Sequence, residues 1–262
     1  MTNYEARFDG IKRLYGAEGQ QRLCDSHVCI IGIGGVGSWA VEALARSGVG
    51  KLTLVDLDDV CISNVNRQTH AVTGEFGKPK ISVMAQRVKL INPDCIIHEC
   101  QRLFTASTAG EILAVKFDAL LDAIDSPSMK ALMIAECVRR GIPVITTGGA
   151  GGRRDPTALR CCDLAHSTHD RLLAVTRKLL RTNHSFPKVP ETSFGVPCVF
   201  SPEAQVFPAG DGTVCEKREA DSSLRLDCRS GYGTASFVTG AFGFAAAAEV
   251  VRIIVESPRQ KA

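Results

Sequence analysis

Between residues 27 and 147 the chain alternates short continuous apolar runs with longer stretches in which apolar residues recur every three or four positions. Continuous runs of this length are typical of parallel strands buried on both faces, and the helical period predicts amphipathic helices. The pattern predicts strands at residues 27–31, 51–56, 96–100, 117–122 and 142–147, and helices at residues 34–47, 80–91 and 128–140.

This alternation predicts an α/β fold with a Rossmann-like, doubly wound sheet. Beyond residue 150 we expect a loop-rich C-terminal half that completes the same domain. The predicted regions are an N-terminal helical arm (1–25), a nucleotide-binding region (26–150), a C-terminal region for substrate and dimer contacts (151–256) and a tail (257–262). Within the third region the sequence predicts an exposed basic helix (160–182), loops (185–230) and a closing helix (235–256).

The composition narrows the class of protein without naming an activity. With 45% hydrophobic and 23% charged residues and a net charge of +3, the 262-residue chain resembles an ordinary globular domain and not a general nucleic-acid binder. Its 11 scattered cysteines form no C-x-x-C pair, so we expect reduced thiols, a cytoplasmic location and no structural zinc. The apolar run 235–248 is shorter than a membrane span, and we expect no membrane association.

A glycine-rich turn links the first predicted strand to the first helix of the sheet. Gly32, Gly34 and Gly37 have the G-x-G-x-x-G spacing that lets a phosphate approach the backbone at a helix N-terminus. Asp56, at the end of the second strand, suits hydrogen bonding to ribose hydroxyls. These residues fit an NAD-linked oxidoreductase as well as an ATP-binding enzyme.

Charged residues beyond the second strand favour a triphosphate. Arg67 and Lys80 offer cations for the β- and γ-phosphates, and Asp125 offers a carboxylate for Mg²⁺ just past a predicted strand. The sequence has no G-x-x-x-x-G-K-[ST] motif, which excludes a P-loop enzyme. From spacing alone, a solvated network of ion pairs among the three charged residues remains the alternative.

Five motifs, in order, carry a family resemblance. They are Gly-x-Gly-Gly-x-Gly, Val-Asp-x-Asp-x-Val, Ser-Asn-x-Asn-Arg-Gln, Gly-x-x-Lys and Asp-x-x-Asp. Together they resemble the ubiquitin-activating-enzyme-like adenylyltransferases, which include the activators of the molybdopterin and thiamine sulfur carriers. The resemblance implies ATP with Mg²⁺ at Asp125, and catalytic roles for Arg67, Lys80 and Asp125. It implies nucleotide contacts from Gly34, Gly35, Gly37, Asp56, Asp58, Asn64, Arg67, Gln68 and Lys80.

Departures from the family pattern point to one of its branches. The chain lacks the two C-x-x-C zinc pairs of the sulfur-carrier activators, and Gly10 stands where they carry an N-terminal arginine that reaches a partner subunit. Arg7 or Arg13 is the candidate substitute. The N-terminal motif, the glycine run at 147–152 and the segments 196–201 and 227–233 look like the tRNA threonylcarbamoyladenosine dehydratases.

That branch implies ATP-dependent cyclisation of threonylcarbamoyladenosine next to the anticodon of tRNA, through an acyl adenylate. The alternative is adenylation of the C-terminus of a small ubiquitin-like sulfur-carrier protein. The resemblance also implies a homodimer, and a cysteine desulfurase or sulfur-acceptor system is a further candidate partner. Cys228 could form a thioester or persulfide, but an incidental thiol is the simpler interpretation because cyclodehydration needs no sulfur nucleophile.

The densest basic cluster of the sequence lies in the C-terminal half. Such clusters are often no more than solvated faces, whereas the resemblance makes a patch for tRNA phosphates the competing interpretation. The candidate tRNA-binding residues are Arg153, Arg154, Arg171, Arg177, Lys178 and Arg181.

Overall fold

The computed structural model describes residues 2–189, 191–216 and 232–256, so Cys228 lies outside the described residues. The helices are α1 (Asn3–Asp25), α2 (Gly37–Arg46), α3 (Lys80–Ile91), α4 (Ala109–Ile112), α5 (Pro127–Arg140), α6 (Arg171–Asn183) and α7 (Ser236–Glu256). The strands are β1 (His27–Ile31), β2 (Lys51–Val55), β3 (Ile96–Cys100), β4 (Ala119–Asp122), β5 (Val144–Thr147), β6 (Arg160–Asp163), β7 (Pro197–Phe200), β8 (Phe207–Pro208) and β9 (Val214–Cys215).

Seven strands form one sheet in the order β3-β2-β1-β4-β5-β7-β6, in which all pairs are parallel except the edge pair β6 and β7. The predicted Rossmann-like sheet is therefore confirmed, and β6 and β7 place the C-terminal half in the same sheet. In the register of β1, Ile31 lies opposite Val55 of β2 and Asp122 of β4. The carboxyl ends of these three strands are therefore level, at the point where the strand order reverses and ligands bind in such folds.

Helices cover both faces of the sheet because the central strands are apolar on both sides. In β1, Val28 and Ile30 pack into one core with α2, α3 and α7, whereas Cys29 and Ile31 pack into a second core with α5 and α6. All four side chains are buried. This two-sided burial is why the strands have continuous apolar runs.

Helix α7 is long and apolar enough, by length and composition, to cross a membrane, yet 56% of its most apolar window is buried inside the protein. It packs against α1, α2 and the strands β4, β5 and β7. Gly243 of α7 lies so close to α2 that an added Cβ would come within 2.5 Å of the Val36 carbonyl oxygen. We therefore interpret α7 as a core helix, in agreement with the sequence pattern.

The N-terminal arm is a helix that packs on the domain and departs from helical geometry at Phe8 and Gly16. Thr2 and Glu5 form a capping box at its start, and Gly16, with φ of 76°, breaks it into two helical pieces. Phe8 and Leu23, one on each piece, are buried.

The prediction of one exposed basic helix over residues 160–182 is wrong. Residues 160–163 form the edge strand β6, and α6 begins only at Arg171. The Asp163 carboxylate accepts from the backbone N–H groups of Ala165, Phe194 and Gly195, which turns the chain after the strand. Asp170 then caps α6 by accepting from the N–H of Leu173.

The prediction of loops over residues 185–230 missed the strands β7, β8 and β9. Strand β7 has only four residues and lies among prolines, so its sequence lacks a clear strand pattern. It is nevertheless a buried strand of the sheet, since Cys198, Val199 and Phe200 are all buried.

Candidate nucleotide and acceptor site

The glycine loop after β1 has the geometry of a phosphate-binding turn. Gly32 has φ of 91°, and an added Cβ would lie 2.9 Å from the main chain of Ala123. At Gly37 an added Cβ would lie 1.8 Å from the carbonyl oxygen of Gly32, so α2 can start there only with glycine. The half-exposed Gly34 and Gly35 lie between these two points, where backbone N–H groups at the start of α2 can meet an anion.

Asp56 holds the loops that follow β1 and β2. Its Oδ2 accepts from the backbone N–H of Ile33 at 2.6 Å, and its Oδ1 accepts from the N–H of Asp58 at 2.8 Å. The carboxylate is half-buried and has further lone pairs for ribose hydroxyls. Its predicted location at the end of the second strand is therefore matched by a geometry that suits the predicted contact.

Lys80 is the first residue of α3, and its ammonium is nearly enclosed. The Nζ atom lies 2.7 Å from Oδ2 of Asp58, and the side chains are 7% and 66% exposed, respectively. The backbone N–H of Lys80 also donates to the carbonyl oxygen of Asp58. The exposed carboxylate therefore covers the cation and lies between Lys80 and the solvent.

Arg67 lies on a turn that faces the glycine loop. An added Cβ on Gly35 would lie 3.5 Å from Cγ of Arg67, and the Arg67 carbonyl accepts from Trp39 Nε1 at 3.0 Å and Thr239 Oγ1 at 3.1 Å. One guanidinium nitrogen, Nη1, donates to the Ser63 carbonyl. The side chain is half-exposed, so its remaining N–H donors can reach a ligand.

Asn64 and Gln68 build this turn from inside. The Asn64 side chain accepts from the N–H of Cys61. The backbone carbonyl of Asn64 accepts from the N–H groups of Arg67 and Gln68. Gln68 is buried, and its Oε1 atom has no hydrogen-bond partner among the described residues. Its Nε2 lies 4.0 Å from the Cβ position of Gly34, which places an amide beside the glycine loop.

Asp125 lies in the loop between β4 and α5 and is exposed. Within the part of the chain that the structure describes, its carboxylate forms no hydrogen bond or ion pair. The strands that precede the glycine loop, Asp56 and Asp125 are neighbours in the sheet and end at the same level. The fold thus brings together the predicted nucleotide residues at the carboxyl edge of the sheet.

A buried ion pair that sequence reasoning missed supports the Asp125 loop. Lys130 Nζ lies 3.0 Å from Oδ2 of Asp122, and both side chains are fully buried. The Thr146 hydroxyl donates to the same Oδ2 at 2.7 Å, and the N–H of Ile124 reaches Oδ1 at 3.3 Å. The only sequence signal was an aspartate inside an apolar strand, which implies a buried partner.

His70 is a second missed feature, directly after the Arg67 turn. The ring is buried, and both its nitrogens lack a hydrogen-bond partner among the described residues. Burial, together with the nearby Lys80 and Arg87 cations, lowers the pKa of His70 to about 4. The imidazole is therefore neutral at physiological pH.

The structure contradicts the assignment of Arg153 to an exposed basic patch. Its side chain is fully buried, with Nη2 at 3.4 Å from Oδ2 of Asp170, which is also buried. Nε donates to the Gly149 carbonyl at 2.9 Å, and Nη1 donates to the Glu203 carbonyl. A guanidinium in this position holds the glycine loop after β5 and cannot reach tRNA phosphates.

The other five cations of the predicted patch are at least partly accessible. Arg154, Arg171 and Lys178 are exposed. Arg177 is half-buried and donates to the Ser167 hydroxyl, and Arg181 donates to the Pro187 carbonyl at 3.2 Å and lies over the Phe194 ring.

Comparisons with known proteins agree with the fold. Residues 9–262 match the model of the ThiF family. The tRNA threonylcarbamoyladenosine dehydratase of Escherichia coli K12 is 45% identical over 98% of this chain and 97% of the relative. The crystal structure of E. coli tRNA N6-threonylcarbamoyladenosine dehydratase in complex with ATP is 40% identical, with a TM-score of 0.88 over 100% of this chain and 99% of that chain.

A sulfur-carrier activator matches a smaller part of the chain. The sulfur carrier protein ThiS adenylyltransferase of E. coli K12 is 39% identical, but over 51% of this chain and 53% of the relative. The resemblance inferred from the five sequence motifs is confirmed by these matches, and the chain belongs to the ThiF family.

Proposed function

We propose that this chain is an ATP-dependent tRNA threonylcarbamoyladenosine dehydratase. The observation that carries the proposal is the site at the carboxyl edge of the sheet. Arg67 lies beside the glycine loop there, and Asp125, whose carboxylate has no partner among the described residues, follows the neighbouring strand β4. The near-complete match to relatives with that activity in their names supports the choice of substrate.

The chemistry proceeds in two steps. A carboxylate oxygen of the threonylcarbamoyl group attacks the α-phosphorus of ATP, and the bond to the pyrophosphate oxygen breaks. The carbamoyl group then attacks the activated carbonyl carbon, loses one proton and expels AMP, which retains the oxygen that leaves the substrate. The net change is loss of water from the nucleoside and cleavage of ATP to AMP and pyrophosphate.

The side chains of the site supply positioning and charge. Arg67 provides planar N–H donors beside the glycine loop, and Lys80 provides a compact cation at the start of α3. Lys80 must exchange part of its contact with Asp58 for a phosphate oxygen. Because the cation is nearly enclosed, that contact would be strong in a water-poor site.

Asp125 fits the predicted role of a magnesium ligand, because it is an exposed carboxylate without a partner among the described residues. Carboxylate oxygens are ligands that Mg²⁺ prefers, and the ion would neutralise phosphate charge. The buried pair of Asp122 and Lys130 would hold the Asp125 loop in place.

A homodimer is part of the proposal, with Arg13 as the residue that reaches the partner's site. Arg7 donates to the Ile91 carbonyl of its own chain, whereas the side chain of Arg13 is 81% exposed beside the bend of α1 and forms an ion pair with Asp9. Mixing Arg13→Ala and Arg67→Ala proteins tests this. Random exchange of subunits would leave one intact site in half of the dimers and restore about a quarter of wild-type activity. No recovery in a mixture with proven subunit exchange would show that Arg13 does not act in the partner's site.

For tRNA we retain Arg154, Arg171, Arg177, Lys178 and Arg181 as phosphate contacts.

A cytoplasmic location agrees with the ten described cysteines, all of which are free. A cysteine desulfurase or sulfur-acceptor partner remains a candidate that the proposed chemistry does not require.

The experiment that tests the function uses tRNA that carries threonylcarbamoyladenosine. Purified protein with ATP and Mg²⁺ should remove one water from that nucleoside, measured by mass spectrometry, and form AMP and pyrophosphate in equal amounts. The alternative, a sulfur-carrier activator, predicts ATP–pyrophosphate exchange that depends on a protein ending in Gly-Gly. Exchange with the carrier and no change in the tRNA would overturn the proposal.

A further inference from the structure

The segment 232–234 joins the two halves of the site. The carbonyl of Gly233 accepts from the N–H of Gly152 at 2.8 Å, and the carbonyl of Thr234 accepts from Nδ2 of Asn66 at 2.8 Å. The first bond leads to the glycine loop after β5, and the second leads to the turn that carries Arg67. Two hydrogen bonds on neighbouring residues thus fix the backbone of this segment.

The ring of Tyr232 lies against the glycine loop after β5. An added Cβ on Gly151 would lie 2.8 Å from Cβ of Tyr232, and one on Gly152 would lie 3.2 Å from Cδ1. Gly152 also has φ of 73°, and its carbonyl accepts from the N–H of Val206 at 2.8 Å. Glycine at these two positions therefore makes a flat backbone surface on which an aromatic ring can lie.

The ring of Phe207 lies beside Tyr232, with centroids 5.5 Å apart and planes at 49°. Both residues are only partly buried. Among the described residues, none forms a hydrogen bond with the Tyr232 hydroxyl. A tyrosine held by its backbone, backed by glycine and left partly open is suited to contact a planar ligand with its face.

The location of the pair separates it from the base of ATP. Asp56, at the end of β2, accepts from Ile33 of the glycine loop after β1 and is the proposed ribose contact, so it defines the ribose side of the proposed ATP site. Strand β5, which leads to Gly151, lies on the other side of β1, beyond β4 and the Asp125 loop. A ligand against Tyr232 therefore approaches the α-phosphate from the side opposite the ATP ribose.

We propose that Tyr232, with Phe207, forms a stacking surface for the purine whose side chain is activated. The proposal rests on the proposed function, because it concerns the acceptor side of the same site. Bases unstacked from an RNA loop are commonly bound against aromatic faces, and stacking tolerates any base because each has a π-face. The threonylcarbamoyl arm of a base held here would point toward the glycine loop after β1.

The test combines Tyr232→Ala with Tyr232→Phe, which keeps the ring and removes only the hydroxyl. Tyr232→Ala should raise KM for the modified tRNA about 10- to 100-fold, as expected for the loss of one stacked base. Tyr232→Phe should remain within about twofold of wild type, and KM for ATP should be unchanged in both variants. Thermal melting checks that each variant is folded.

A binding measurement makes the test independent of turnover. An anticodon stem-loop with 2-aminopurine at the target position should lose fluorescence on binding to wild type and to Tyr232→Phe, but not to Tyr232→Ala. An unchanged tRNA KM in folded Tyr232→Ala, or equal quenching by all three proteins, would overturn the stacking surface alone. A rise in KM for ATP would assign the ring to the ATP base, again against the proposal. Wild-type protein that quenches the probe but never dehydrates modified tRNA would refute the proposed function and leave the base-binding surface standing.

Discussion

The nucleotide-binding half and the C-terminal half both carry glycines and arginines after a parallel strand, but they use them differently. In the first half, Arg67 is half-exposed beside Gly35 of the glycine loop. In the second, Arg153 is fully buried and donates a hydrogen bond to the backbone carbonyl of Gly149. The same pair of residue types therefore leaves a guanidinium partly open in one place and buries it as a structural brace in the other.

The difference follows from what surrounds each guanidinium. The Arg67 guanidinium donates to the Ser63 carbonyl and to the Asn66 side chain of its own turn. Arg153 is enclosed by the segments around Asp170 and Glu203, which supply a carboxylate and a carbonyl. Burial lowers the pKa of Arg153, and the Asp170 carboxylate opposes that shift. A buried arginine survives in a protein only when its donors are satisfied in this way.

The largest expected effect is a loss of activity when the proposed site residues of the first half are replaced. Arg67→Ala and Asp125→Ala should each lower turnover by at least about 100-fold, because charge stabilisation at the phosphates is lost. Lys116→Ala, an exposed cation at the opposite edge of the sheet, should change turnover little. The measurement is AMP release with modified tRNA. Near-normal turnover in either site variant would remove that residue from the mechanism.

The second effect separates the arginines by stability. Arg153→Met should lower the free energy of unfolding by about 3–5 kcal/mol, because Asp170 is left as an uncompensated buried charge. Arg154→Met, the exposed neighbour, should change it by less than about 0.5 kcal/mol. Urea unfolding measures both. Equal and small losses in the free energy of unfolding of both variants would show that the buried Arg153 contributes little to stability. The contrast between the two halves would then fail.

The buried pair in the nucleotide half offers a parallel case. Lys130→Met should lower the free energy of unfolding by a similar amount, about 3–5 kcal/mol, because Asp122 loses its partner. Asp122→Asn combined with Lys130→Met should recover part of this loss, since no buried charge remains. A double variant no more stable than Lys130→Met would mean that the pair acts through packing and not through charge.

His70 predicts a smaller effect, which depends on pH. Its pKa is about 4 in the folded protein and about 6.5 in the unfolded chain, so the unfolded state binds more protons between these values. The contribution is fully present above about pH 6.5 and is lost as the pH falls toward 4, by up to about 1.4 kcal/mol per pH unit. Urea unfolding at pH 7, 6 and 5 should show this slope, and His70→Gln should flatten it. An identical pH dependence in the two proteins would rule out His70 as its source.

The smallest expected effect concerns the exposed cations of the C-terminal half. Arg171→Ala and Lys178→Ala should each weaken tRNA binding and reduce its salt slope by about 1, as expected for one lost phosphate contact. Stability should be unchanged, unlike in Arg153→Met. Filter binding between low and high salt measures the slope. A slope equal to that of wild type would identify this face as a solvated surface.

Much of the nucleotide half was predictable because its constraints are local. A continuous apolar run specifies a strand buried on both sides. Gly37 is required by its contact with Gly32 within one strand–turn–helix unit, and Gly32 itself has a positive φ that favours glycine. The C-terminal half was less predictable. Strand β7 is defined by its neighbours β5 and β6 and not by its own four residues, and the partners of Arg153 lie 17 and 50 positions away.

The sequence by itself determined the parallel sheet, the position of the glycine loop and the family motifs, because each depends on residues close together in the chain. Tertiary structure alone decided which cations are open to a ligand. It paired Lys80 with Asp58 and Lys130 with Asp122, buried Arg153 and left Asp125 exposed. It also brought Tyr232 onto Gly151 from more than eighty positions away. Burial and charge pairing arise from packing between distant segments, and the free energy of a charged group depends on that environment more than on its neighbours in sequence.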